Sequence, residues 1–220
     1  MLNRFFIILI VILAQFSVFS FALAETKKTI VLSVPFTSQS PYGEWKDARQ
    51  QDACEEASVI MAVYWARGKS LDKKIAKREI LAMSDWEKKK YDNFTDTSAS
   101  STAERLFIEY YKYKKVEVKY NFEIKDIIKE LEKGNVIIVP TNGRLLKNPN
   151  FTAPGPDRHN VLIRGYDYAK KQFITNDPGT RKGEAYRYGE KVLFKAIRDY
   201  PTGKHLPIKK DIKAMIVVSK

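Results

Sequence analysis

The sequence predicts an α+β domain, with a helical N-terminal part packed on an antiparallel sheet and a cleft between the two lobes. Three observations predict it. Apolar residues recur at helical spacing in several segments between residues 54 and 132. Runs of β-branched and aromatic residues concentrate after residue 136. Those late runs are joined by short turns, which is the order of a segregated α+β chain and not of a parallel doubly wound sheet. With 220 residues and 44% hydrophobic side chains, the chain can bury one core without disulfides or a structural metal, and its composition excludes disordered and collagen-like chains.

Residues 1–24 follow a different rule. Arg4 precedes an almost unbroken apolar run that ends in Ala22-Leu23-Ala24 before Glu25. This is the pattern of a secretory signal with a small-residue cleavage site; an uncleaved membrane anchor is the alternative, and only that form would hold the protein to a membrane. Either way residues 25–220 form one domain expected outside the cytoplasm of a bacterium, secreted or in the cell envelope. Cleavage leaves 38 basic against 26 acidic side chains, a net +12. For an exported domain the matching counter-charges are anionic envelope polymers, lipid headgroups or acidic polypeptides, and nucleic acid is not an expected partner. The lysines are scattered over several runs, such as Lys73-Lys74 and Lys88-Lys89-Lys90, which reads as a solvated surface.

Element by element, residues 29–36 are β-branched and apolar and read as a strand closed by Pro35. Residues 38–52, with Pro41, Gly43 and many polar side chains, form a loop. A helix follows, with Asp52 as its cap and Glu55 and Glu56 in its first turn. Ala57, Ile60, Met61, Tyr64 and Trp65 carry the helical spacing until Arg67-Gly68 stops it. Residues 71–83 and 101–111 are further amphipathic helices, 116–120 a strand, 124–132 a helix ended by Gly134, and 136–139 a buried strand ended by Pro140. The loop over residues 141–158 is long for a compact domain, and loops of that length tend to be functional. Residues 159–166 and 172–176 flank a short turn as a hairpin, with further strands at 185–188 and 214–218.

Cys54 is the only cysteine. Exported domains use cysteines in pairs, so a lone one is either a small buried hydrophobe or a reactive thiol. It falls where a polar loop becomes a helix, and there the unsatisfied N–H groups and the helix dipole favour a thiolate. Glu55 and Glu56 oppose this unless they face away from the sulfur, as the roughly 100° between successive helical side chains allows. His159 opens a strand after the long loop. In a hairpin symmetric about Tyr168 it faces Asp177, while Val161 faces Thr175 and Ile163 faces Phe173. Side chains opposite one another in such a ladder lie within about 5.5 Å at Cβ. Asp177, in Asn176-Asp177-Pro178-Gly179, is equally good turn chemistry. His205 has no carboxylate at comparable spacing and reads as a surface histidine. Together Cys54, His159 and Asp177 supply nucleophile, base and orienter. They lack the closely spaced ligand pair that anchors zinc, so no metal and no other cofactor is expected.

The stretch Val34-Pro35-Phe36-Thr37-Ser38-Gln39, the cysteine at a helix start, the run from His159 through Gly165 to Asp167, and Asn176-Asp177-Pro178 together resemble the bacteriocin-processing, double-glycine leader peptidase superfamily, in its stand-alone peptidase-like branch. The similarity covers most of the chain after residue 24. It implies a papain-like cysteine protease fold, a Cys-His-Asp triad at Cys54, His159 and Asp177, and a glutamine that donates to the oxyanion. That glutamine is Gln39, with Gln51 as the alternative. Two features depart from the family. Glu55 stands where many relatives carry glycine, and the loop between Gln39 and Cys54 is longer. No transporter domain accompanies the sequence, so a bacteriocin leader is not the expected substrate.

The expected function is therefore an exported cysteine hydrolase that cleaves, or transfers across, peptide or amide bonds through an acyl-enzyme. It would act on a peptide or protein substrate as a monomer. The alternative is a non-catalytic exported module that binds anionic envelope components through its basic surface.

Overall fold

Over residues 28–220, which the computed structural model describes, the chain begins with β1 (Ile30–Val31), α1 (Ala48–Gln51), α2 (Cys54–Ala66) and α3 (Lys73–Tyr91). Next come α4 (Ala99–Thr102), which continues as a π-helix over Ala103–Tyr110, then β2 (Val116–Tyr120), α5 (Ile124–Glu132), β3 (Val136–Thr141) and α6 (Gly143–Leu146). The chain closes with β4 (His159–Asp167), β5 (Gln172–Asn176), β6 (Tyr186–Gly189), α7 (Glu190–Ala196) and β7 (Ala214–Val218). The signal or anchor expected over residues 1–24 lies outside the described residues. Among those described, no helix is long and apolar enough to cross a membrane.

The strands form one antiparallel sheet in the order β2-β7-β3-β4-β5-β6, with β1 added on β4. Period-two alternation gives the sheet two buried faces. Val136, Ile138, Leu162, Ala214, Ile216 and Val218 point to the face covered by α2, α3 and α4. Ile137, Val139, Val161, Ile163, Met215 and Val217 point to the opposite face, which is covered by α5 and α7. Helix α2 is apolar on every side and is buried between the sheet and the surrounding helices, so it has almost no solvent face.

The expected elements are present with shifted limits. The first strand shrinks to Ile30–Val31 because β3 already occupies β4 from His159 to Ile163, which leaves only Gly165 and Tyr166 for β1. Gly165 makes this pairing possible, since a Cβ there would lie 2.2 Å from the Ile30 carbonyl oxygen. Helix α3 runs on to Tyr91. Short helices also form inside both segments read as loops: α1 is capped by the Asp47 carboxylate and α6 by the Asn142 side chain. Helix α7 was not expected, although Leu193 and Ala196, both buried, stand at helical spacing behind Glu190.

Where α2 packs on α3, two acids are buried together. Glu56 accepts a hydrogen bond from Ser84 Oγ at 3.1 Å, yet Glu56 Oε2 and Glu87 Oε1 have no donor among the described residues. Burial is the main cause of a rise in both; repulsion by Glu87 and Glu55 adds to it and pushes Glu56 well above the usual carboxylate range, and repulsion by Glu55 helps to push Glu87 to about 8. Arg105 Nη1, 3.9 Å from Glu87 Oε1, offsets only part of this rise. Burial raises Asp52 and Asp199 in the same direction. These groups keep protons in the folded chain that the unfolded chain releases, so their stabilisation is present below the ordinary carboxylate pKa and is lost as pH rises through the folded value. The slope is about 1.4 kcal/mol per pH unit for each proton so held. The melting temperature is therefore expected to fall between pH 5 and pH 8, and less steeply in Glu87→Gln. A flat profile in the wild type would show that the pair is ionised.

Candidate active site

Cys54 opens α2 behind Ala53, which makes no side-chain cap, so the first N–H groups of the helix, that of Cys54 included, have no helical carbonyl to bond. The sulfur is buried. The backbone N–H of Asn160 donates to it, and the thiol in turn donates to Glu55 Oε2 at 2.9 Å. Glu55 and Glu56 were expected to face away from the sulfur. Instead both are buried, and Glu55 touches it, because α2 offers no solvent face to which an acid could turn. Burial and the Glu55 carboxylate push the thiol well above its ordinary pKa, against the lowering expected of a helix start. A full negative charge in contact outweighs the partial charge of a helix end.

Across from it, His159 begins β4 opposite Thr141, whose Oγ1 donates to the His159 carbonyl oxygen at 3.1 Å. His159 Nε2 lies 2.7 Å from Asp177 Oδ1, with both side chains buried. The contact exists, but not through the register expected. The ladder pairs Leu162 with Asn176 and Ile163 with Thr175. It then slips at Arg164, so that Gly165 pairs with Ile174 and Tyr166 with Phe173. Asp177 lies beyond the strand, on a turn that its own N–H closes by donating to the Gly183 carbonyl at 2.9 Å. Gly183 is required there, since a Cβ would lie 1.8 Å from the Asp177 carbonyl oxygen. The turn role and the histidine contact thus coexist: Oδ1 accepts both His159 and the Gly179 N–H, at 3.0 Å.

The other carboxylate oxygen of Asp177 accepts from Tyr188 O–H at 2.5 Å and Asn148 Nδ2 at 3.3 Å. Burial alone would raise this carboxyl group, but the His159 charge and these hydrogen bonds hold it below its ordinary value. The long loop between β3 and β4 supplies Asn148 and also Phe151, whose ring meets the imidazole edge to face with centroids 5.3 Å apart. Asn148 and Tyr188 escaped the sequence reading because a buried Asn in a loop and a Tyr in a strand carry no local signal of a shared partner.

Gln39 is buried and ties two walls together. Its N–H donates to the Pro178 carbonyl at 2.9 Å, and its Nε2 donates to the carbonyls of Gln51 at 2.7 Å and Gln50 at 3.2 Å, just ahead of Cys54. Gln51 is exposed. Both glutamines, Cys54, Glu55 and His159 line one cleft of about 1300 Å³. His205 lines it too. Its side chain is 58% exposed, but Nδ1 lies 2.9 Å from Asp96 Oδ2, so the histidine read as having no carboxylate does have one, brought from 109 residues away. Among the described residues no group of three His, Cys, Asp or Glu side chains could hold a metal ion.

The model of the Peptidase_C39 like family matches residues 31–201. A crystal structure from Bacillus anthracis, described as that of a C39-like peptidase, superposes with a TM-score of 0.55 at 15% identity, covering 88% of this chain and 99% of that one. The likeness establishes a shared papain-like α+β fold. The peptidase domain of Streptococcus ComA, a bi-functional ABC transporter involved in a quorum-sensing pathway, matches with a TM-score of 0.43 at 11% identity over 77% of this chain and 93% of that domain. No curated protein matches the sequence.

Proposed function

The chain belongs to the Peptidase_C39 like family, and from that premise we propose that it is an exported cysteine peptidase acting through an acyl-enzyme. Cys54 is the nucleophile, His159 the base and Asp177 the residue that orients the imidazole. The observation that carries this reading is the buried His159–Asp177 pair in the cleft that Cys54 also lines. With Nε2 committed to Asp177, Nδ1 is the ring nitrogen left to take a proton. The acid fixes that tautomer and stabilises the imidazolium once it forms.

In this reading the Cys54 sulfur attacks a peptide carbonyl while His159 Nδ1 takes the thiol proton. The developing oxyanion is met by the Cys54 N–H and by Gln39, and the proton then leaves on the departing amine. Water resolves the acyl-enzyme; an amine in its place makes the same site a transferase. A cleft of about 1300 Å³ exceeds the usual small-molecule pocket and suits an extended peptide. The apolar run of residues 1–24 supports export.

The test is cleavage of a complex peptide library, read as new N-termini by mass spectrometry. Wild-type protein is expected to generate a consistent set of cuts and Cys54→Ala none. Cuts that persist in Cys54→Ala would rule the reading out.

A further inference from the structure

The Glu55 carboxylate is surrounded by donors. Its Oε1 accepts from Tyr200 O–H at 2.7 Å and from the Thr97 N–H at 3.3 Å, and its Oε2 lies 2.9 Å from Cys54 Sγ. The Tyr200 hydroxyl receives Asn160 Nδ2 at 2.6 Å, and the Asn160 backbone N–H returns to the sulfur. Cys54, Glu55, Tyr200 and Asn160 thus close a ring of hydrogen bonds, each residue more than nine-tenths buried. Burial pushes the Glu55 carboxyl above its ordinary range, the hydrogen bonds from Cys54 and Tyr200 hold that rise back, and in all three donors converge on the one group. One of the three is the thiol that the peptidase reading makes the nucleophile.

We propose that Glu55 is a positioning residue for that nucleophile: it accepts the Cys54 S–H hydrogen bond, fixes the sulfur in the cleft and keeps it a thiol at rest. The reaction then starts from a neutral Cys54–His159 pair and not from a preformed thiolate–imidazolium pair. In the first step the S–H proton passes to His159 Nδ1 as the S–C bond forms and the carbonyl π pair moves to oxygen. When the carbonyl reforms, the C–N bond breaks and the amine takes that proton.

The titratable groups around the sulfur come from every element packed on it. They are Glu55 and Glu56 of α2, Asp96 before α4, Tyr200 after α7, and His159 of β4 with Asp177 behind it. Glu55 and Glu56 disfavour the thiolate directly, and Asp96 adds negative charge beside Glu55. The Asn160 backbone N–H, which donates to the sulfur, opposes them.

The inference rests on the peptidase reading, but its readout needs no substrate. The rate of Cys54 alkylation by iodoacetamide is measured against pH in the wild type and in Glu55→Gln, which keeps the side-chain shape and removes the charge. The wild-type half-point is expected above the ~8.5 of a free thiol. In Glu55→Gln it should fall by at least about one unit, quickening alkylation near neutral pH about tenfold. A wild-type half-point below ~8.5, or a Glu55→Gln profile that coincides with the wild type, overturns the proposal. If Glu55→Gln does not fold, the wild-type half-point decides alone. An unshifted Glu55→Gln profile alongside loss of cleavage in Cys54→Ala removes the role of Glu55 and leaves the peptidase standing. Cleavage that survives in Cys54→Ala removes the peptidase whatever the titration shows.

Discussion

His159→Ala is expected to lower the rate of peptide cleavage by on the order of 10⁴-fold or more, while the protein still folds. The size follows from the state of the nucleophile. Cys54 is a buried thiol held by Glu55, with its pKa raised by burial and by that carboxylate, so little thiolate is available without a base. Removing the imidazole also takes away the proton donor for the leaving amine. Asp177→Asn is expected to cost less, at least about tenfold: an amide oxygen can still accept from His159 Nε2, but it carries no charge to stabilise the imidazolium. The amide nitrogen then has to face Tyr188 O–H, which can accept, and Asn148 Nδ2, which cannot. The melting temperature should therefore drop only modestly, by the equivalent of about 1 kcal/mol. Combined with His159→Ala it should add little, since an orienter has nothing left to orient. Wild-type turnover in either variant, measured as kcat on a peptide identified from the library, would dissolve the triad.

Gln39→Ala is expected to lower turnover by about 10²–10³, the usual effect of losing one oxyanion donor, while leaving Cys54 as alkylatable as in the wild type. Gln39 reaches the site from a buried position, anchored on Pro178 beside Asp177 and on the carbonyls of Gln50 and Gln51 just ahead of Cys54. Its Nε2 donors are engaged with those carbonyls, so stabilising an oxyanion requires one of them to turn away, and the loss should appear in kcat more than in KM. Gln51, on the exposed side of the same segment, is expected to tolerate alanine. A loss of turnover confined to Gln51→Ala would transfer the oxyanion role to that residue.

What the sequence determined by itself is what short-range pattern encodes. Helical spacing from Ala57 to Trp65 located α2, the apolar run before Pro140 located β3, and the step from polar loop to helix put Cys54 at a helix start. His159 at the head of a strand and Asp177 on the turn after its hairpin partner were legible for the same reason, since a hairpin is local. Its register was not. The slip at Arg164 lies next to Gly165, where β1 pairs with β4 from more than 130 residues away, and no spacing within the hairpin reports that neighbour. Glu55 was misread on similar grounds: angular separation around a helix says which side chains diverge, but only packing decides whether any side meets solvent, and α2 has nearly none. The pairing of His205 with Asp96 and the buried Glu56–Glu87 contact were likewise decided by packing. Tertiary structure brings together charges far apart in the chain, and their effect depends on burial, which raises the Cys54 thiol where a helix start alone would lower it.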